Sequence, residues 1–471
     1  MKNDYNFVPI TRSNPACEGI IPIAVDQLER NLTRSSASMR GFVLLCHGKL
    51  VAEKYWAPYD KNDMVWVYSI SKSFTSTAVG IAVMEGKINI DTKVHTFFPE
   101  INLENKSEHL KNMRIKDLLT MTTGHEEDTL IPMISAEDGD WVKAFFELQV
   151  PHEPGTHFLY NTGATFMLSA VLERAVNENM EQYLRTRMFE PLGFGETLWD
   201  SNPSGTTCGG WGIMIHLEDL AKLGQLYLNK GTYHGKRIIS EEWVELAVSK
   251  QSDNSKTQNQ DPDWIQGYGF QFWRCQHDAF RADGMAGQYC IVMPKHHAVL
   301  AIMCETEKMQ EVLDIVWDTL LPGFYQILSH FENSIQGQRF RIKENNFGMQ
   351  SVFFEFKKDS LNIRFIGEEE EYQLSAGRGE YRECETKLPI LSPTIIPAFS
   401  LENRERKISA YFKWLKESEL YIYWVYRESP HRDEMRCTFK GDRVQMVFPP
   451  NVMAQYLGLE PIVISGRLET E

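Results

Sequence analysis

Residues 21–36 (IPIAVDQLERNLTRSS) carry apolar side chains at three- and four-residue spacing, which predicts an amphipathic helix. Two strand-like runs follow, 41–46 and 50–56, and His47-Gly48-Lys49 between them predicts a tight hairpin. After Ser69 the segment SKSFTSTAVGIAVMEGKI has a helical period that ends near Gly86. From about 91 to 249 most of the signal is helical, in MRIKDLLTMTTG, ATFMLSAVLERAVN and LEDLAKLGQLYLNKG. Extended sequence returns with GYGFQFW (267–273). Then QYCIVMP (288–294) and AVLAIMCET (298–306) flank the turn Lys295-His296-His297. A last amphipathic helix, QEVLDIVWDTLL, runs to Pro322. Strands at both ends of residues 1–330 therefore enclose a helical block. This pattern predicts an antiparallel sheet made from about 1–90 and 250–330, flanked by helices, with about 91–249 as a helical insertion.

Beyond about residue 335 the texture changes. RFRIKE, SVFFEFKK, LNIRFIG, SAYFKWL, LYIYWVY and VQMVF are short, aromatic or β-branched, and separated by turn residues. Residues 335–471 are therefore predicted to form an all-β domain, a barrel or a sandwich. The four acids Glu368 to Glu371 read as a solvated turn rather than a metal site. The fold class is α+β, with an all-β domain at the C-terminal end.

Length and charge refine this picture. At roughly 150 residues per domain, 471 residues lean toward about three domains. No apolar stretch approaches the ~20 residues of a membrane-spanning helix. The N-terminal MKNDYNFVPITRSN has no apolar core of a secretory signal, so a cytoplasmic location is expected. The net charge is −15. Residues 331–471 hold 20 Lys+Arg against 22 Asp+Glu, and residues 1–330 hold 29 against 42. The acidity thus belongs to the first two thirds, and it argues against nucleic acid as a partner. The eight cysteines form no C-x-x-C pair, so reduced, mostly buried thiols are expected rather than a zinc ribbon.

Candidate chemistry begins at Ser69-Ile70-Ser71-Lys72, the one S-x-x-K match in the chain. A serine hydroxyl needs a base to take its proton. At the start of a helix, Ser69 would sit near the positive end of the helix dipole, with Lys72 one turn on and on the same face. Burial and the dipole both favour neutral lysine, a usable base. The competing reading is a serine cap beside a solvated lysine.

VYSISKSFTSTAVGIAVMEGKINIDTKVHTFFPE resembles the nucleophile region of the serine β-lactamase and penicillin-binding-protein superfamily, in particular its class C branch. IKDLLTMTTGH (115–125), EPGTHFLYNTGATFMLSAVLE (153–173) and GGWGIMIHLEDLAKLGQLYLNKG (209–231) are similar to the same branch, in the same order. The resemblance covers roughly residues 20–325 and implies a β-lactamase-like fold with its site between sheet and insertion. It also implies acyl-enzyme chemistry on Ser69 without metal or organic cofactor. Tyr160-Asn161-Thr162 stands where the family has its second motif, Tyr-x-Asn or Tyr-x-Ser, with Thr162 in place of the Asn or Ser. The resemblance makes Tyr160 a second base or proton relay, with Thr162, or Asn161 after a one-residue slip, bonding a substrate carbonyl. Lys72 is expected to pull the phenol's pKa down.

The third motif, normally Lys-Thr-Gly or His-x-Gly, is best matched by Ala282-Asp283-Gly284. Gly284 would let the backbone approach substrate, and the N–H of Met285 would form an oxyanion hole with that of Ser69. The cation is missing, with Arg281 and Arg274 as candidate replacements. An uncharged acyl substrate therefore ranks above a β-lactam or a peptide with a free carboxylate.

Rival sites are weaker. His152 and His157 are five apart around a Pro-Gly turn, which is not H-E-x-x-H spacing. His296-His297 falls in a hairpin turn. The leading expectation is a serine hydrolase of esters, amides or peptides. A β-lactamase or D-alanyl-D-alanine carboxypeptidase is the alternative, and an idle binding or scaffold protein on the same fold is the third reading. A small-molecule or peptide acyl substrate, no membrane span, and homo-oligomerisation through the C-terminal domain are the expected partner relations.

Overall fold

A computed structural model describes residues 7–324, 331–388 and 405–469, apart from 346–347, 358, 369, 380, 417, 429–431, 452–454 and 456–457. The chain has a β-lactamase-like fold of mixed α/β content plus a C-terminal closed β-barrel. Contacts divide it into residues 1–13 with 31–314, and residues 14–30 with 315–471.

The first unit is built on a six-stranded antiparallel sheet. Its strands are β1 (Ser38–Cys46), β2 (Lys49–Tyr55), β3 (Trp273–Arg274), β4 (Phe280–Gly284), β5 (Gln288–Met293) and β6 (Ala298–Glu305), in the order β2-β1-β6-β5-β4-β3. The two ends of the unit meet where β1 pairs with β6, with Phe42 opposite Ile302 and Val43 opposite Ala301. β1, β5 and β6 are buried on both faces, so they read as nearly continuous apolar runs rather than as alternation.

Three helices position the site. α1 (Ser71–Met84) packs against α2 (Thr162–Val176), and α3 (Leu217–Leu228) lies on β1, β5 and β6. One apolar cluster joins them through Phe74, Leu168, Leu220 and Val299. α1 and α2 are buried almost all round, and α1 carries buried hydroxyls that find partners, Ser73 the Gln271 carbonyl and Thr75 the Gly209 carbonyl. A small sheet pairs Met64–Trp66, just ahead of the turn that carries Ser69, with Ile213–His216 and Leu198–Trp199.

Two local readings change. GYGFQFW, expected to be extended, contributes only Trp273 to a strand, because Gln271 takes a left-handed φ of +66° that breaks the run. MRIKDLLTMTTG, expected to be a helix, forms a short one, Ile115–Leu119, ended by the left-handed Met121.

The second unit holds a ten-stranded sheet, closed where Gly377 and Arg378 pair in parallel with Tyr411 and Phe412. Strands Glu371–Arg378, Arg382–Thr386, Arg432–Lys440 and Ile462–Leu468 join those expected from sequence. Residues 14–30, placed with the catalytic half on sequence, group here instead. Ile21 is buried in the barrel's apolar cluster, and a Cβ on Gly379 would fall 2.8 Å from the Pro22 ring. The middle of the acidic run, residue 369, lies outside the described residues. All eight cysteines are free thiols. Among the described residues no helix is long and apolar enough to cross a membrane.

Candidate active site

Ser69 lies in a single 3-10 turn, Tyr68–Ile70, that leads directly into α1. Tyr68 has a left-handed backbone with φ +48°, a conformation that costs a bulky residue on the order of 1 kcal/mol or more. Neighbours hold it there. The Ser71 hydroxyl donates to the Tyr68 carbonyl at 2.6 Å, and the Val67 N–H donates to the Ile213 carbonyl at 3.1 Å. The result leaves Ser69 partly exposed above a buried Lys72.

Lys72 Nζ donates to Ser69 Oγ at 2.9 Å and to the Gly210 carbonyl at 2.8 Å. Its side chain is 1% exposed. Burial pushes its pKa down to about 7, while the carboxylates of Asp128 and Asp283 pull the other way. The amine is therefore half neutral near physiological pH. Among the described residues no histidine bonds Ser69; its hydroxyl accepts from Lys72.

Tyr160 is half-buried just ahead of α2, with its hydroxyl close enough to Ser69 for that side chain to favour the phenolate. Lys72 Nζ stands 4.9 Å from its ring centroid. The expectation that Lys72 lowers the phenol's pKa is corrected: burial pushes it up, and Asp283 and Asp128 push it further. A phenolate there would lose its hydration beside two carboxylates, and the nearby Ser69 returns less than that loss.

Asn161 is buried as the N-cap of α2. Its Oδ1 accepts from the N–H of Ala164 at 3.2 Å, the N–H of Thr129 at 3.1 Å and the Thr129 hydroxyl at 2.8 Å. The side chain is thus engaged by the fold rather than turned to substrate. Thr162 is partly buried, and its N–H donates to Asp128 Oδ1 at 2.9 Å.

The third motif occupies β4. Ala282 is buried in the apolar cluster. Arg281 and Asp283 share the opposite face and pair with each other, Nε to Oδ2 at 2.7 Å, with exposures of 0% and 9%. Arg281 Nη1 also donates to the Asp263 carbonyl at 2.7 Å and to Cys275 Sγ at 3.2 Å. Arg274 donates to the Val248 carbonyl at 3.1 Å. Arg281 is therefore no free replacement for the missing cation, because it is buried and already paired. Gly284 has a nearer reason for being glycine than substrate approach: a Cβ there would fall 2.3 Å from the Val67 carbonyl oxygen, two residues before Ser69. Met285 opens the turn into β5 and is 68% exposed.

The structure thus gathers Ser69, Lys72, Tyr160 and Asp283 around one centre and brings Gly284 against the nucleophile turn. Three participants escaped sequence reasoning. Gly210 acts through its carbonyl, which no side-chain pattern reveals, although it lies in the GGWG stretch. Asp128, whose charge reaches Lys72, and Trp273, stacked on Tyr160, come to the site through tertiary proximity alone.

The rival histidines are elsewhere. His152 and His157 stack on each other at 4.6 Å, with Glu126 on His152. His297 stacks on His47. Among the described residues no group of three or more His, Cys, Asp or Glu could hold a metal ion.

A family model described as Beta-lactamase matches residues 25–319. The 6-aminohexanoate-dimer hydrolase of Paenarthrobacter ureafaciens is 23% identical over 53% of this chain and 68% of its own length. Across the curated relatives the match spans from 36% to 68% of their length. Among solved structures, a penicillin-binding protein homologue from Caulobacter crescentus covers 66% of this chain and 100% of its own, at 15% identity and a TM-score of 0.52. An octameric penicillin-binding protein homologue from Pyrococcus abyssi covers 94% of this chain and 99% of its own, at 15% identity and a TM-score of 0.50. At such identities these two likenesses speak for the fold alone.

Proposed function

Since the chain belongs to the Beta-lactamase family, whose members are typically serine hydrolases, we propose that it hydrolyses an uncharged ester or amide through an acyl-enzyme on Ser69. The observation that carries this reading is the 2.9 Å contact between Lys72 Nζ and Ser69 Oγ, made by a lysine buried enough to lose its proton near pH 7.

In the proposed cycle neutral Lys72 accepts the Ser69 proton as Oγ attacks the carbonyl carbon. The N–H groups of Ser69 and Met285 receive the oxyanion. Tyr160, protonated, donates its hydroxyl hydrogen to the leaving oxygen or nitrogen and is reprotonated from Lys72. Water then attacks the acyl carbon with the same pair acting in reverse. The engaged Arg281 and the absent cation at Ala282 support an acyl substrate without a carboxylate beside the scissile bond. The class C relation is part of the same proposal.

Incubation with a fluorophosphonate, with neutral p-nitrophenyl esters and with a fluorescent penicillin tests this. A mass adduct on Ser69, absent in Ser69→Ala, together with ester turnover is expected. If wild type and Ser69→Ala are both unlabelled and inert, the hydrolase reading falls. Labelling by penicillin alone moves the reading to a β-lactamase or D,D-carboxypeptidase.

A further inference from the structure

We infer that Trp273 is a positioning residue whose indole holds the Tyr160 phenol against Ser69, and that the buried Arg281–Asp283 pair holds the indole. The inference rests on the hydrolase reading and adds to it a residue outside the three motifs.

The Trp273 and Tyr160 rings stack with centroids 5.4 Å apart and planes 28° apart. Tyr268 meets both edge-on, at 6.2 Å from Tyr160 and 5.0 Å from Trp273. With Lys72 Nζ 4.9 Å from the same phenol ring, Tyr160 is bounded by an indole, a second phenol and the amine. Its hydroxyl is left facing Ser69. A half-buried tyrosine without such walls would sample other rotamers.

Trp273 is itself fixed from behind. It sits opposite Arg281 in the β3–β4 register, and the guanidinium lies 5.5 Å from its ring and 4.3 Å from that of Trp264. Phe158 packs edge-on at 6.2 Å. Arg281 cannot swing away, because Asp283, the Asp263 carbonyl and Cys275 Sγ all bind it. Asp263 is anchored in turn by Gln276 and Gln310.

Stability alone does not account for this column. A fully buried arginine is costly to desolvate, and its Nη2 is buried without a hydrogen-bond partner among the described residues. An apolar side chain of similar volume would serve packing better. The guanidinium offers instead a rigid plane against two indoles, which fixes ring orientation more narrowly than aliphatic contacts do. The column begins at Asp283, whose carboxylate also acts on Lys72, and ends at Tyr160, so both proton-handling groups share one support.

The test is a double-mutant cycle on the full chain. Trp273→Leu and Trp273→Phe are each made in wild-type and Tyr160→Phe backgrounds. Every preparation is titrated for reactive Ser69 with a fluorophosphonate, and kcat/KM for a neutral p-nitrophenyl ester is expressed per titrated site. Trp273→Leu should lower it about 10²-fold, the loss typical of a reacting group misplaced by about 1 Å. Trp273→Phe, which retains a stacking ring, should restore most of it. In the Tyr160→Phe background Trp273→Leu should cost nothing further. Equal losses in both backgrounds, or a loss that disappears on titration, would assign Trp273 to packing alone and overturn the proposal. If wild type takes no phosphonate, the hydrolase reading fails separately. The positioning claim is then read from the 19F signal of 3-fluorotyrosine at 160: averaging of ring orientations in Trp273→Leu supports it, and an unchanged signal overturns it.

Discussion

Acylation of Ser69 should switch on as Lys72 loses its proton. An ordinary lysine titrates near 10.5, whereas burial brings Lys72 to about 7. Only the neutral amine can accept the serine proton. The rate constant for phosphonate capture should therefore fall about tenfold for each pH unit below 7 and level off above about pH 8. Asp128 is the larger of the two carboxylate influences that favour the ammonium form. Asp128→Asn keeps an oxygen to accept the N–H groups of Leu130 and Thr162 but removes the charge. The limb should then move to lower pH, with the plateau rate nearly unchanged.

The same burial makes a stability prediction of fixed sign. Lys72 holds its proton more weakly when folded than when unfolded. Between about pH 7 and pH 10.5 the unfolded chain therefore binds more protons, and folding stability rises with pH across that window. Below pH 7 the full penalty is present. At about 1.4 kcal/mol per pH unit it is on the order of 5 kcal/mol. Lys72→Met should abolish capture yet raise Tm, and more at pH 6 than at pH 9. The reasoning is refuted if the capture rate keeps climbing toward pH 10, or if Lys72→Met lowers Tm equally at both pH values.

Two substitutions probe the scaffold around the site. Asn161→Ala removes the cap of α2 and leaves the Ala164 and Thr129 donors without their acceptor, so unfolding free energy should drop by about 1–3 kcal/mol in a denaturant titration. Its kcat/KM per titrated Ser69 should change little, and a loss of several hundredfold would return Asn161 to the substrate. Gly284→Ala places a Cβ 2.3 Å from the Val67 carbonyl, so the nucleophile turn must shift. Phosphonate capture should fall about 10²-fold or more with far-UV circular dichroism unchanged, whereas full-rate capture would show that the turn does not depend on this close approach.

What was legible in the sequence follows from how local each signal is. Ser69 and Lys72 lie one helical turn apart, so their meeting is written in four residues. The sheet made from both ends of residues 1–330 was legible because the runs at 41–46, 288–294 and 298–306 are strongly apolar. Asp128 reaches the site only because its carboxylate accepts the Thr162 N–H at the start of α2 while Thr129 donates to the cap Asn161, contacts across more than thirty residues. Arg281 looked like a free cation, since its partners Asp263, Cys275 and Asp283 meet only once β3 and β4 pair. The phenol of Tyr160 was misjudged for a related reason: sequence shows the neighbouring lysine but not the depth of burial, and burial decides the sign. The barrel strand Arg432–Lys440 was missed because it alternates charge with single buried residues, a fainter signal than LYIYWVY.

The pairing of β1 with β6 also sets an order of events in synthesis. Val43 is made early, yet its partner Ala301 is added more than two hundred residues later. β1 flanked by β2 alone remains an open edge until then, and the turn that carries Met285 cannot be held beside the Val67 carbonyl. A nascent chain stopped between Tyr160 and β6 would carry Ser69, Lys72 and Tyr160 but no assembled centre. Reactivity of Ser69 should therefore appear in one step as β6 leaves the ribosome, which delays an exposed nucleophile until the fold can govern it.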